Sequence, residues 1–320
     1  MSTTLRLLIA LATLALGAQA LAQPAQKSPS APAPAAADSG NTDLAFGAYQ
    51  RGYYLTALSE ASKRAQQNDP VAMTLLGELY AQGLGVPRDD AKAADWYKLA
   101  ASKGDRNAMF ALAMFNFEGR AGPKNPDEAA HLLSDAAKLG HPAAEYDLGL
   151  LYLQGQQFPQ DFKRAAELFR AASDAGNSEA QYALATMYKD GRGVEQDVNK
   201  AMQLMGMASL TGNVDAMVEY AIAEFNGTGV PKNETGAAQL LQKAANRGSA
   251  IAQNRLARVL MAGRGMPANP TEAVKWHIIA KAAGASDPEL DLFAAKQPGD
   301  VRDAAQKEAD KWLSTTAPRT

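Results

Sequence analysis

Residues 72–104 read AMTLLGELYAQGLGVPRDDAKAADWYKLAASKG. Two amphipathic helices and two stops are written into this stretch. Ala72, Leu76, Gly77 and Tyr80 fall at helical spacing, as do Ala93, Trp96, Tyr97 and Ala100, which gathers each set on one face of a helix. Gly83 and Gly104 stand where each helix has to end, because glycine accepts the left-handed backbone that closes a last turn. Asp89 precedes the second helix and is a good N-cap type, its carboxylate able to take an orphan backbone N–H.

The same pattern returns every 36 residues. Gly83, Gly119, Gly155, Gly191, Gly227 and Gly263 share one phase, and Gly104, Gly140, Gly176, Gly212, Gly248 and Gly284 share another. Ala72, Ala93 and Ala100 each begin a row that runs in step through all six units, ending at Ala252, Ala273 and Ala280. Asn125, Asp161, Asp197, Asn233 and Asn269 repeat the cap. At Asn125 and Asn269 a Pro follows at N1 and a Glu at N3, which predicts a capping box. A lone hairpin of helices cannot keep its apolar face dry, so repetition without insertions predicts stacking. The expected fold class is all-α: a right-handed α-solenoid of helix-turn-helix repeats.

Outward from the array the pattern fades. Six units fill residues 69–284. Residues 43–68 keep Ala57 in phase and predict N-terminal capping helices, and residues 285–314 predict C-terminal ones, with 315–320 as a tail. Residues 23–42 are rich in Pro, Ala and Ser and predict a disordered linker. Residues 1–22 read as a signal peptide: Arg6, an apolar run from Leu7 to Ala18, then small residues at Ala20 and Ala22 that fit a cleavage site. The run is short of the roughly 20 apolar residues that span a bilayer. The expected location is therefore periplasmic or secreted, with no integral membrane segment left after cleavage.

With these residues in view, the unit Ala72–Gly104 resembles a Sel1-like repeat, a relative of the tetratricopeptide repeat. The shared pattern is A-x-x-x-L-G-x-x-Y-x-x-G-x-G-V-P-x-D-x-x-K-A-x-x-W-Y-x-x-A-A-x-x-G. The match weakens in places, with Asn116 and Glu224 standing where the first unit has Tyr80. The resemblance implies an adaptor or regulator that holds another protein; exported bacterial members include regulators of membrane sensor kinases. One branch of the family with paired cysteines has been described as penicillin-binding. This chain has no cysteine, and that activity is not carried over.

Composition excludes several classes. A net charge of −2 offers no attraction for nucleic acid. The histidines, His131, His141 and His277, stand in no metal-binding spacing, and no phosphate-binding loop or nucleophile elbow is present. No cofactor and no catalytic residue is expected. By analogy with tetratricopeptide repeats, three in-phase positions of each first helix face a concave groove. They place Phe110, Met114, Phe117, Tyr146, Leu150, Leu153, Tyr182, Ile222, Phe225 and Met261 there as candidate contacts for a protein or peptide partner. The other readings are an envelope hydrolase acting on cell-wall fragments, which paired acids in the groove would favour, and a structural envelope protein with no defined ligand. The candidate groove acids Glu78, Glu118, Asp147 and Glu219 sit in different units.

Overall fold

The computed structural model describes residues 43–316, and the expected signal peptide (1–22), the expected linker (23–42) and the last four residues lie outside them. The described residues form sixteen helices and no strand. A leading pair, α1 (Leu44–Gln50) and α2 (Tyr54–Gln66), precedes six hairpins. The first three are α3 (Pro70–Gln82) with α4 (Asp90–Ser102), α5 (Arg106–Glu118) with α6 (Pro126–Lys138), and α7 (Pro142–Gln154) with α8 (Phe162–Asp174). The next three are α9 (Ser178–Asp190) with α10 (Val198–Thr211), α11 (Val214–Asn226) with α12 (Glu234–Asn246), and α13 (Ala250–Ala262) with α14 (Pro270–Ala282). Two closing helices follow, α15 (Pro288–Ala295) and α16 (Gly299–Thr316). Through the hairpins each helix packs on its neighbours in sequence, as a stack requires. At the end α16 lies back on α14, with Trp312 edge-on to Trp276 at 6.1 Å.

The helix ends follow from the caps. Asp69 accepts from the N–H groups of Val71 and Ala72, and Asp89, Asp105, Asn125 and Asn233 each accept from the residue three places on. First helices of the repeats close on a left-handed glycine such as Gly83. Most second helices stop one residue earlier, and their glycine then bends the chain into the next unit, as Gly104 does at φ 86°. The capping box is half realised at Asn269. Its side chain accepts from the Glu272 N–H, but the Glu272 carboxylate takes Lys275 and the Trp276 indole N–H instead of reaching back.

All three alanine rows are buried along the whole array. Close backbone approach at these alanines lets larger side chains fill the space beside them. The departures at Asn116 and Glu224 leave the hairpin intact for a simple reason. In every unit the N–H of the residue that caps the second helix donates to the carbonyl of this position: Asp89 to Tyr80, Asn125 to Asn116, Asn233 to Glu224. The bond uses backbone only, so the side chain is free to vary.

The loops add to the helix contacts between units. A Cβ on Gly193 would strike the Phe162 carbonyl, one on Gly265 the Glu234 carbonyl, and one on Gly85 would sit 3.0 Å from Tyr54. Each of these glycines lets the loop of one hairpin lie against the first turn of the preceding second helix. Arginines latch the same joint in alternate units. Arg120 donates to Asp90 at 2.7 Å and to the Ala81 carbonyl at 3.0 Å, Arg192 lies over the Phe162 ring, and Arg264 pairs with Glu234. The Arg88 and Arg120 guanidinium groups hold the Asp90 carboxyl down to about 2.

Candidate functional site

The first helices carry the ten candidate residues, and the structure divides them. Phe110 stacks on the His141 ring at 4.6 Å, and Tyr146 lies against Phe169 at 5.7 Å. Leu150 is buried in the core. Met114, Phe117, Leu153 and Tyr182 are half-buried and pack on core residues from within the stack. These seven serve the seams between helices, at least with part of their surface. Ile222, Phe225 and Met261 are likewise half-buried against the core, but they also come together in one open cleft of about 310 Å³ between α11 and α13.

The wall of that cleft is basic. Arg255, Arg258 and Arg264 line it, with Glu289 the one acid among its lining residues. Arg258 is fixed in place by a fork: Nε and Nη2 donate to the two oxygens of Asp287 at 2.7 and 2.8 Å, and Nη1 donates to Glu289 at 2.6 Å. Asp287 is only 5% exposed. Burial by itself would raise its carboxyl, yet Arg258, the Asn254 amide and the Leu290 N–H hold it down to about 2. Arg264 lies flat over the Phe225 ring at 4.3 Å while pairing with Glu234. Arg255 is exposed and makes no ion pair among the described residues. Periodicity places Ile222, Phe225, Met261 and also Arg258 in the groove rows, but not Arg255 or Arg264. Asp287 and Glu289 belong to the closing helix, outside the 36-residue phase, so no spacing announced them.

A second cleft of similar size opens at the other end, among Phe46, Tyr49 and Leu75. Its charges are opposite, with Asp43, Glu78 and Asp105 in the lining and its one arginine, Arg64, bound to Asp43 and Asp69. A third cavity, about 460 Å³ and polar, lies between α8 and the loop ahead of α10, lined by Lys163, Arg170 and Tyr188.

The groove acids do not form a working pair. Glu78 accepts the Tyr97 hydroxyl at 2.9 Å, Glu118 lies 4.0 Å from Arg120, and Glu219 is bridged to Lys189 at 2.7 Å. Asp147 is pushed up to about 7 by burial. Burial, together with the charge of Asp147, raises the neighbouring Tyr146 to about 12. The histidines are also apart. His141 caps α7, its Nδ1 accepting from the Ala144 N–H at 3.1 Å; His277 is buried with Nε2 at 2.8 Å from Asp291; His131 is exposed. Among the described residues no cluster of His, Asp and Glu could hold a metal ion, and no helix is long and apolar enough to cross a membrane.

The stack has solved counterparts. A Sel1 repeat protein from Oxalobacter formigenes is 28% identical, superposes with a TM-score of 0.66, and aligns over 75% of this chain and 97% of its own. A protective antigen of uropathogenic Escherichia coli strains, displaying the same repeat fold, is 25% identical with a TM-score of 0.57, over 86% of this chain and 68% of its own. No curated protein matches the chain. The Sel1 repeat pattern itself matches six consecutive segments, 70–105, 106–141, 142–177, 178–213, 214–249 and 250–284. These six segments account for most of the chain, which belongs to the Sel1 repeat family.

Proposed function

We propose that this chain is an exported scaffold, working in the periplasm or outside the cell, that holds a protein or peptide partner on its first-helix face. It acts as an adaptor or regulator of an envelope protein, a membrane sensor kinase being one such target, and it catalyses nothing itself. The observation that carries the reading is the cleft where the half-buried Ile222, Phe225 and Met261 come together beside a preorganised arginine. A partly exposed apolar floor with a few fixed polar groups is the usual form of a docking site. The leader at residues 1–22 supports export.

The test is site-specific crosslinking in the native envelope. A photo-reactive residue at Ile222 should give one dominant adduct with a partner protein. The same residue at Gln239, exposed on a second helix, should give none. Equal labelling from both faces, or none from either, overturns the reading. Turnover of muropeptides by the purified chain would replace it with an enzymatic one.

A further inference from the structure

We propose that the α11–α13 cleft takes an acidic peptide segment, with one aromatic or aliphatic side chain seated on the apolar floor and flanking carboxylates held by Arg255 and Arg264. The inference rests on the docking reading above and adds the chemistry of what docks.

The charge left uncompensated selects the occupant. Three guanidinium groups line the cleft, and three carboxylates stand beside them: Glu289 in the lining, with Asp287 and Glu234 pairing with Arg258 and Arg264. The guanidinium groups are not equivalent. Arg258 is largely consumed by Asp287 and Glu289 and acts as a fixed wall. Arg264 gives one N–H to Glu234, which leaves most of the five donors of a guanidinium without a partner among the described residues. Arg255 has no ion pair there at all. A guanidinium with free donors beside an apolar floor attracts carboxylate, because the low-dielectric wall sharpens its field and the planar fork matches a carboxylate.

Size and surroundings narrow it further. About 310 Å³ lies at the lower end for a ligand pocket, enough for one or two side chains rather than a whole ligand. These three arginines cluster in one cleft of a chain with net charge −2, whereas nucleic acid needs an extended basic stripe. The N-terminal cleft, with Asp43, Glu78 and Asp105 in its lining, repels the same ligand and serves as an internal control. Arg258 is preorganised by the buried Asp287, so the wall does not have to be ordered when the peptide arrives.

The test uses short fluorescein-labelled, C-terminally amidated peptides with a common Phe-x-x-Leu anchor and acidic, neutral (Gln/Asn) or basic (Lys) residues around it, read by anisotropy on the purified protein. The acidic peptide should bind at least about tenfold tighter than the neutral one, with the basic one weakest. Arg255→Glu combined with Arg264→Gln should cut the acidic affinity by about tenfold or more and change the neutral peptide's affinity by much less, so that the preference for acid is lost. Circular dichroism and melting confirm that this variant is folded; Arg255→Glu alone, at an exposed position, is the fallback and should lower the acidic affinity in the same direction. Acidic and neutral peptides binding alike, with both weakened by Phe225→Ala, would overturn the acidic preference while the docking face stands. No binding of the acidic peptide, binding only of its free C-terminal acid form, or indifference to the arginine variants would also overturn the proposal. Silence of both the peptides and the Ile222 crosslink would remove the docking reading as well.

Discussion

The ring of Phe169 occupies the space that a side chain on Gly149 would need: a Cβ there would lie 2.6 Å from the ring's Cε1. The same relation holds between Gly77 and Tyr97 at 2.5 Å. The other units place Ala113, Ala185, Ala221 and Ala257 at the glycine's position and Leu133, Met205, Leu241 and His277 at the aromatic's. Glycine appears in the two units whose second helix brings the large ring of Tyr or Phe. Gly149→Ala gains about 1 kcal/mol of helix propensity, but overpacking costs roughly 1–3 kcal/mol. The substitution should therefore destabilise the parent and stabilise a Phe169→Leu background. Urea melts of the four proteins in this cycle check it, and the same sign in both backgrounds would refute the fit.

Gly193 and Gly176 both have positive φ, but only Gly193 meets a neighbour, the carbonyl of Phe162. Alanine at Gly176 should cost only the left-handed strain, about 1–2 kcal/mol. Alanine at Gly193 should cost at least about 1 kcal/mol more, because the loop must lift off the preceding helix. Thermal melts that rank the two variants equally would deny the loop a role in joining units.

His141 caps α7 with an unprotonated ring nitrogen, and burial, followed by the charge of Arg106, lowers its pKa below the ordinary 6.5. Above that value both folded and unfolded chains leave it neutral. As pH falls through it, the unfolded chain takes up a proton that the folded chain resists, so stability declines. His141→Asn keeps a good capping side chain that does not titrate. Between about pH 7.5 and about pH 5.5, the parent's Tm should fall more steeply than the variant's.

Asp287 accepts from Arg258, from Asn254 and from the first turn of α15. Asp287→Ala removes a cap and a charge-assisted fork, a loss of about 2–4 kcal/mol. It should appear first as faster hydrogen exchange in α15 and α16. The carboxyl is held to about 2, so its contribution is complete above about pH 4 and disappears as pH falls toward about 2. Urea midpoints of parent and variant should converge over that range.

Much of this was legible in the sequence because a helix has a fixed period. Ala72, Gly83, Ala93 and Gly104 repeat at 36 residues, and that rhythm alone gives the hairpins, their ends and the small side chains at their crossings. It also placed ten groove candidates, Ile222, Phe225 and Met261 among them. Periodicity, however, does not separate a groove from a seam. Phe110 and Tyr146 hold the same register as Thr74 and Asn254, and only packing shows them resting on His141 and Phe169.

The 36-residue beat thus fixed what lies within about one turn of each residue: which face is apolar, where a helix starts, where glycine must end it. Tertiary structure decided what meets across units. Asp90 with Arg120, Glu234 with Arg264 and Asp287 with Arg258 join residues some 30 positions apart. Those partners are set by how one rigid hairpin leans on the next. That angle comes from the sum of many side-chain volumes and not from any local spacing.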